Sequence, residues 1–235
     1  MKKKILIFGA HPDDCEIGMG GTIKKLSNNG SNITIIDLTQ GEMSSNGNIF
    51  LRQKESEAAS LILGIKERIN LKLPDRNIEN SKSNVERIAN VIRKHKPDIV
   101  YLPSSIDTHP DHVSASLVIQ ESIFHAKLRK FVSEFDPVDV KNSYMYHINT
   151  TSDSDFFVDI TNEMSDKVRS LNCYKSQFDN QANESTRLTN GFLKQVESNN
   201  NVLGYKCGTQ FAEGFITIKP ILLRNISSME AILND

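Results

Sequence analysis

The feature that most constrains this chain is an alternation of short apolar runs with helical stretches over its first hundred residues. Lys4–Phe8 (KILIF), Ile33–Leu38 (ITIIDL), Ile69–Leu73 and Ile99–Leu102 are too short for helices and rich in β-branched residues, so they read as buried strands. Between them lie three helical patterns. Gly20–Asn28 is opened by a glycine pair and ends at Asn29-Gly30. Leu51–Leu63 puts Ala58, Ala59, Leu61 and Ile62 on an apolar face, with Gly64 just past its end. Val85–His95 repeats Val85, Ile88, Ala89, Val91 and Ile92 and is stopped by Pro97. Strands alternating with helices of this length build right-handed βαβ units. The expected fold is therefore α/β: a Rossmann-like, doubly wound, mostly parallel sheet with helices on both faces.

The second half is less regular. Val113–Lys130 and Glu163–Tyr174 read as helices, and Tyr144–Ile148, Phe156–Ile160 and Phe215–Ile218 as strands. A polar stretch rich in Asn, Ser and Gln runs to Asn201, with Ser198–Asn201 expected as a loop. No internal repeat or linker divides the chain, and 235 residues suit a single domain over 1–235.

Charge narrows the function. Lys plus Arg number 28 and Asp plus Glu 29, so the basic excess of a dedicated nucleic-acid binder is missing. No run approaches the ~20 apolar residues of a membrane span. Lys2, Lys3 and Lys4 precede an apolar run, but it stops at Gly9 and is followed by a polar turn, unlike a signal peptide; the expected location is the cytoplasm. Three widely spaced cysteines with no C-x-x-C pattern leave any metal to histidine and carboxylate.

Those residues are concentrated in two segments. His11-Pro12-Asp13-Asp14-Cys15-Glu16 follows the first strand, and His109-Pro110-Asp111-His112 follows the fourth. A lone His-Pro-Asp is ordinarily a turn. Two of them, each beyond the carboxyl end of a parallel strand, fall where α/β sheets bind ligands, and the two strands can be neighbours at the switch point. A catalytic zinc takes three protein ligands and keeps a place for water. His11 and Asp14 supply two from one turn, and His112 supplies the third from the other. Asp13, beside a ligand, is the candidate general base. His109, if protonated, is the candidate donor to an oxyanion, with Asp111 placed to hold its imidazole and raise its pKa. Glu16 either lines the pocket or caps the next helix. Two histidines with a carboxylate also suit Fe2+ or another divalent ion in place of Zn2+, one per chain.

At these residues the chain resembles the LmbE-like, or PIG-L, family of zinc-dependent N-acetylglucosamine deacetylases. Within it, the chain is similar to bacillithiol-pathway N-acetylglucosaminyl-malate deacetylases. The resemblance runs through Gly9–Asp14, Gly18–Thr22, Leu38–Glu42, Arg52 with Glu55, Leu73-Pro74-Asp75, Lys96–Val100, His109–His112 and Ala212-Glu213-Gly214-Phe215. It implies zinc at His11, Asp14 and His112, Asp13 as base, His109 as the oxyanion partner, and Arg52 reaching the substrate, with Glu42 and Glu16 as further candidate substrate contacts. It also implies a small amino-sugar substrate and a homo-oligomer. Two segments depart from the family pattern, Met43–Gly47 and Cys207–Phe211, and both are expected to border the substrate.

The rival from another class is a nucleotide-binding module using Gly18-Met19-Gly20-Gly21. Against it, Asp13 and Asp14 occupy the place of the glycine turn, where they would repel a pyrophosphate. A second enzymatic reading keeps the metal and changes the substrate to another N-acetyl amino sugar, such as a surface-polysaccharide precursor.

Overall fold

In the computed structural model the early alternation becomes five parallel strands side by side. They are β1 (Lys4–Gly9), β2 (Asn32–Asp37), β3 (Glu67–Asn70), β4 (Ile99–Pro103) and β5 (Asn142–Tyr146). Two more, β6 (Phe156–Asp159) and β7 (Ala212–Thr217), complete a 7-stranded sheet in the order β3-β2-β1-β4-β5-β7-β6. β7 runs antiparallel to both its neighbours; every other pairing is parallel. The structure describes residues 2–151, 153–179, 186 and 188–221.

Strand periodicity divides the core between two faces. Ile5, Ile7, Ile33 and Ile35 point to one side, where they meet α1 (Asp14–Asn28), α2 (Ile49–Leu63), α5 (Met164–Leu171), α6 (Lys175–Phe178) and α7 (Phe192–Cys207). Leu6, Phe8, Ile36, Val100 and Leu102 point to the other, against α3 (Lys82–His95) and α4 (Pro110–Ala126). Helices thus cover both faces, and β1 and β4 are hydrogen-bonded neighbours where the strand order reverses.

Two expectations need correction. Ser198–Asn201 is not a loop but lies within α7. The polar run hides a buried stripe of Phe192, Val196, Asn200 and Leu203, and Asn200 Nδ2 fits that stripe by donating to the carbonyl of Ala212 at 2.8 Å. Residues 180–185 and 187 of the same polar stretch lie outside the described residues. The first helix begins at Asp14 rather than Gly20, because it is two segments joined at Met19, whose φ of -147° is not helical. The break frees the N–H groups of Gly21 and Thr22, and the Glu213 carboxylate accepts both, at 3.0 and 2.7 Å. Lys167, fully buried, neutralises Glu213 at 2.6 Å. Gly21 is required here because a Cβ would lie 2.7 Å from Ile160. The Ala-Glu-Gly-Phe signature near the end of the chain is thereby a structural clamp on the helix that starts at Asp14.

Candidate metal centre

Both His-Pro-Asp segments emerge from the carboxyl ends of neighbouring strands, so their side chains converge over one point. In the first, Asp13 is the N-cap of α1 and has a φ of 129°, a strained value for a residue with a side chain. Asp14 opens the helix, and its Oδ2 accepts the His11 N–H at 2.8 Å. In the second, His109 is the N-cap of α4 and Pro110 its first residue. One turn into α4, His112 faces Asp14.

The Asp14 carboxylate lies between two imidazoles. One oxygen is 3.5 Å from His11 Nδ1 and the other 3.2 Å from His112 Nε2. The far nitrogen of each ring meets an outer carboxylate. His11 Nε2 is 3.1 Å from Asp75 and 3.3 Å from Asp111; His112 Nδ1 is 3.1 Å from Asp107. Histidine metal ligands have this arrangement, one nitrogen inward and the other fixed by a carboxylate. All three inner groups are buried.

The electrostatics agree. Burial works against a charged His11, yet hydrogen bonds to Asp111, Asp14 and Asp75 raise its pKa well above the usual imidazole range. Burial likewise opposes charge on His112, but Asp14 and Asp107 lift it to about 9. For Asp14 burial is outweighed by His112 and His11, and its pKa falls well below the carboxylate range. The same carboxylates would offset the charge of a divalent cation bound by the two imidazoles. Donor atoms of His11, His109 and His112, and separately of His11, Asp75 and Asp111, lie within 4.8 Å of one another, so alternative ligand sets exist on distance alone. The hydrogen bonds bear on His109 and on the outer face of His11. His109 Nδ1 accepts the Asp111 N–H at 3.2 Å, which leaves the hydrogen of the neutral ring on Nε2, where it can donate but not ligate. Asp75 and Asp111 lie on the outer side of His11. The expected set of His11, Asp14 and His112 is brought together here, with the Asp14 carboxylate between the two imidazoles.

Asp13 and Arg52 form the second part of the site. Arg52 Nη2 pairs with Asp13 at 2.7 Å, and Arg52 Nε donates to the Pro12 carbonyl at 2.8 Å. Burial pushes Asp13 up to about 7, against the lowering effect of Arg52. A carboxyl balanced near neutrality beside a metal set can accept and return a proton. A cavity of about 290 Å³ opens over these groups; its walls include Ile17, Ile148 and Phe192 on the apolar side and Ser44, Ser45 and Asn46 on the polar side.

Four expected roles change. The Asp111 carboxylate does not orient His109; it contacts His11, and only the Asp111 backbone reaches His109. Burial first, then the cationic His112 and His11, lowers the His109 pKa, which favours the neutral ring over the expected imidazolium. Glu16 neither lines the cavity nor caps α1 through its side chain: it is fully buried on Arg68 at 2.5 Å and the Tyr174 hydroxyl at 2.9 Å. Glu42 is exposed and accepts the Asp75 N–H at 2.8 Å, bracing the loop that carries Asp75 rather than facing the cavity. Of the two departing segments, Met43–Gly47 contributes Met43, Ser44, Ser45 and Asn46 to the cavity wall, whereas Cys207–Phe211 contributes nothing to it. The wall loop is fastened by Gln177, which accepts from Ser44 Oγ at 2.9 Å and donates to the Asn46 carbonyl at 3.0 Å.

Asp107 has no counterpart in the sequence reading. It takes four hydrogen-bond partners: His112 Nδ1, the His109 N–H at 2.7 Å, and the Asn149 N–H and side-chain amide at 3.1 and 3.0 Å. Burial opposes its charge, but these partners hold its pKa at about 2. Its position two residues before His109, in the same loop, was a usable signal; Asn149, distant in sequence, carried none.

The fold and the site together define the class, a metal-dependent deacetylase. Residues 6–123 match PIG-L, described as GlcNAc-PI de-N-acetylase, and the chain belongs to that family. The chain is 32% identical over 94% of its length to diacetylchitobiose deacetylase of Thermococcus kodakarensis, covering 85% of that protein. A probable N-acetyl-alpha-D-glucosaminyl L-malate deacetylase 2 of Bacillus cereus is 30% identical over 48% of this chain and 57% of its own length. The solved structure of a conserved protein from Thermus thermophilus superposes with a TM-score of 0.87 at 31% identity, covering 95% of this chain and 98% of the other.

Proposed function

We propose that this enzyme hydrolyses the N-acetyl group of an N-acetylglucosamine conjugate, releasing acetate and a free amine, with one Zn2+ held by His11, Asp14 and His112. The observation that carries this reading is the Asp14 carboxylate set between two imidazoles, each backed by an outer carboxylate, with Asp13 beside it. A bound divalent cation supplies Lewis acidity, which brings the pKa of a ligated water down to ~7. Asp13 takes a proton from the attacking water and returns it to the departing amine. Arg52 fixes the Asp13 carboxylate on the cavity side and limits how far burial raises its pKa. His109 donates its Nε2–H to the acetyl oxygen as negative charge develops there. Ile17, Ile148 and Phe192 exclude bulk water from the same space.

The substrate class is supported by the relatives, whose names specify acetylated glucosamine sugars. The nucleotide-module reading loses support in the structure. The segment at Gly18–Gly21 packs into the core, and the cavity at the switch point is lined by Asp13, Asp14 and Asp75. A cytoplasmic location suits three free cysteines; among the described residues no helix is long and apolar enough to cross a membrane. A homo-oligomer belongs to the same reading and is tested by light scattering. The function itself is tested by metal analysis together with acetate release from a panel of N-acetylglucosamine conjugates. About one zinc per chain and stoichiometric acetate support it; bound nucleotide without metal would overturn it.

A further inference from the structure

We propose that Arg76 reads a negative charge on the aglycone, so that the enzyme's substrate is an N-acetylglucosamine conjugate bearing a carboxylate or phosphate. This rests on the deacetylase reading and adds to it the chemistry of the part of the substrate that is not the sugar.

Among the described residues lining the cavity, two carry a guanidinium, Arg52 and Arg76. Arg52 is held by the protein at two of its three guanidinium nitrogens, Nε on the Pro12 carbonyl and Nη2 on Asp13, and the residue is 6% exposed. Arg76 differs in each respect. Its side chain is 47% exposed, and its side-chain partner is Asp111 Oδ1 at 3.5 Å, the outer limit of a hydrogen bond. The other oxygen of Asp111 is already shared by His11 Nε2 and by the backbone N–H of Arg76 itself, at 2.8 Å. The guanidinium fork therefore keeps donors free at the cavity wall.

The backbone beneath it is held in place. Arg76 has a φ of 63°, in the left-handed region, at the end of a Pro74-Asp75-Arg76 turn. Both flanks of the turn are pinned: Asp75 N–H donates to Glu42, and Arg76 N–H to Asp111. A non-glycine residue kept in that conformation, with its side chain at a cavity, is a pattern of functional sites. A planar guanidinium with free donors on a fixed base suits a carboxylate or phosphate, which it can bind with two parallel hydrogen bonds. The charge pattern adds a reason for it. Asp13 is already paired with Arg52, Asp14 and Asp75 with imidazoles, and the Ser44–Asn46 lip is neutral, so Arg76, 3.5 Å from an Asp111 that also serves His11, is the wall cation whose charge is least compensated. Between the named substrates of the relatives, the uncharged chitobiose and the malate conjugate, Arg76 favours the charged kind.

The test compares matched conjugates of the same sugar: the malyl glycoside, its dimethyl ester, the 1-phosphate and the methyl glycoside. The kcat/KM of each is measured with zinc-loaded wild type, Arg76→Gln and Arg76→Lys, alongside metal content and thermal midpoint. A hydrogen-bonded charge pair of this kind is worth ~10- to 100-fold in kcat/KM. The expected result is a wild-type preference of that size for the malyl or phosphate conjugate over the ester. Arg76→Gln collapses the ratio mainly through KM, and Arg76→Lys recovers part of it. The malyl and phosphate arms distinguish the two anions. A wild-type ratio near one, or a ratio that survives Arg76→Gln, overturns the proposal. If no conjugate releases acetate, the deacetylase reading falls instead. Calorimetric binding of the malyl conjugate then decides the role of Arg76: loss of binding in Arg76→Gln supports it, and unchanged binding overturns it.

Discussion

The same tripeptide, His-Pro-Asp, stands beyond β1 and beyond β4, and the two copies do different work. In the first, α1 starts after the tripeptide, with Asp13 as N-cap. In the second, α4 starts inside it, with His109 as N-cap and Pro110 already helical. This shift of two residues reassigns every side chain. His11, ahead of its helix, faces Asp14, whereas His109 spends Nδ1 on the helix N-terminus and presents Nε2–H to the cavity. Asp13 is held at a strained φ against Arg52, whereas Asp111 lies in a regular helix and backs His11 across the site. A short motif therefore does not assign a role; its register against the helix start does.

Substitutions can break the comparison at its strongest point first. Asp14→Ala removes the carboxylate that both inner histidines share. Zinc content should fall from about one per chain to near zero, and turnover should fall to background, read by elemental analysis and acetate release. Full zinc content in this variant would refute the ligand set.

The two aspartates of the paired motifs should then separate. Asp13→Asn is expected to keep its zinc and to lose ~10²- to 10⁴-fold in kcat, the size of a missing general base. Asp111→Asn keeps the shape of its side chain but loses the charge behind His11. It should weaken zinc binding ~10- to 100-fold, measured by competition with a chelator, with a smaller loss of kcat at saturating metal. Equal effects on metal affinity would mean that the two copies are not functionally distinct. His109→Ala belongs with the Asp13 variant: kcat down ~10²- to 10³-fold with zinc retained.

Much of this was legible in the sequence because it rests on short-range pattern. The strand alternation located β1 to β4, and the spacing of His11, Asp14 and His112 pointed to one centre. What was not legible depends on groups brought together from afar. Asp111 looked like a partner for its neighbour His109, but the pitch of α4 turns its carboxylate toward His11 and Asp75. Glu16 looked like a pocket or cap residue, but Arg68, on β3, draws it into the core. The Ser198–Asn201 run looked like a loop because its composition is polar, and its buried stripe depends on an Asn200 contact with β7 that no local window reveals.

A further expected effect concerns protons rather than residues, and it sharpens the contrast between His112 and His109. In the metal-free protein the His112 pKa is about 9, raised by Asp14 and Asp107 against burial, while that of His109 is lowered by burial and the neighbouring cations. A raised folded-state pKa contributes stability that is fully present below the unfolded value of ~6.5 and is lost as pH climbs through about 9. Metal-free protein should therefore lose stability on the order of 3 kcal/mol between pH ~6.5 and ~9, measured by urea denaturation. His109 contributes with the opposite sign: its depressed pKa costs stability only at acid pH, below its unfolded value. On the proposed ligand set zinc displaces the His112 proton, so the apparent zinc affinity should rise across the same alkaline window in which the metal-free protein weakens. Asp107→Asn should flatten both curves, because the carboxylate that holds the proton on His112 also steers the ring toward Asp14. If Asp107→Asn leaves both slopes intact, Asp14 alone sets the His112 charge, and Asp107 serves only to tie the β4–α4 loop to Asn149.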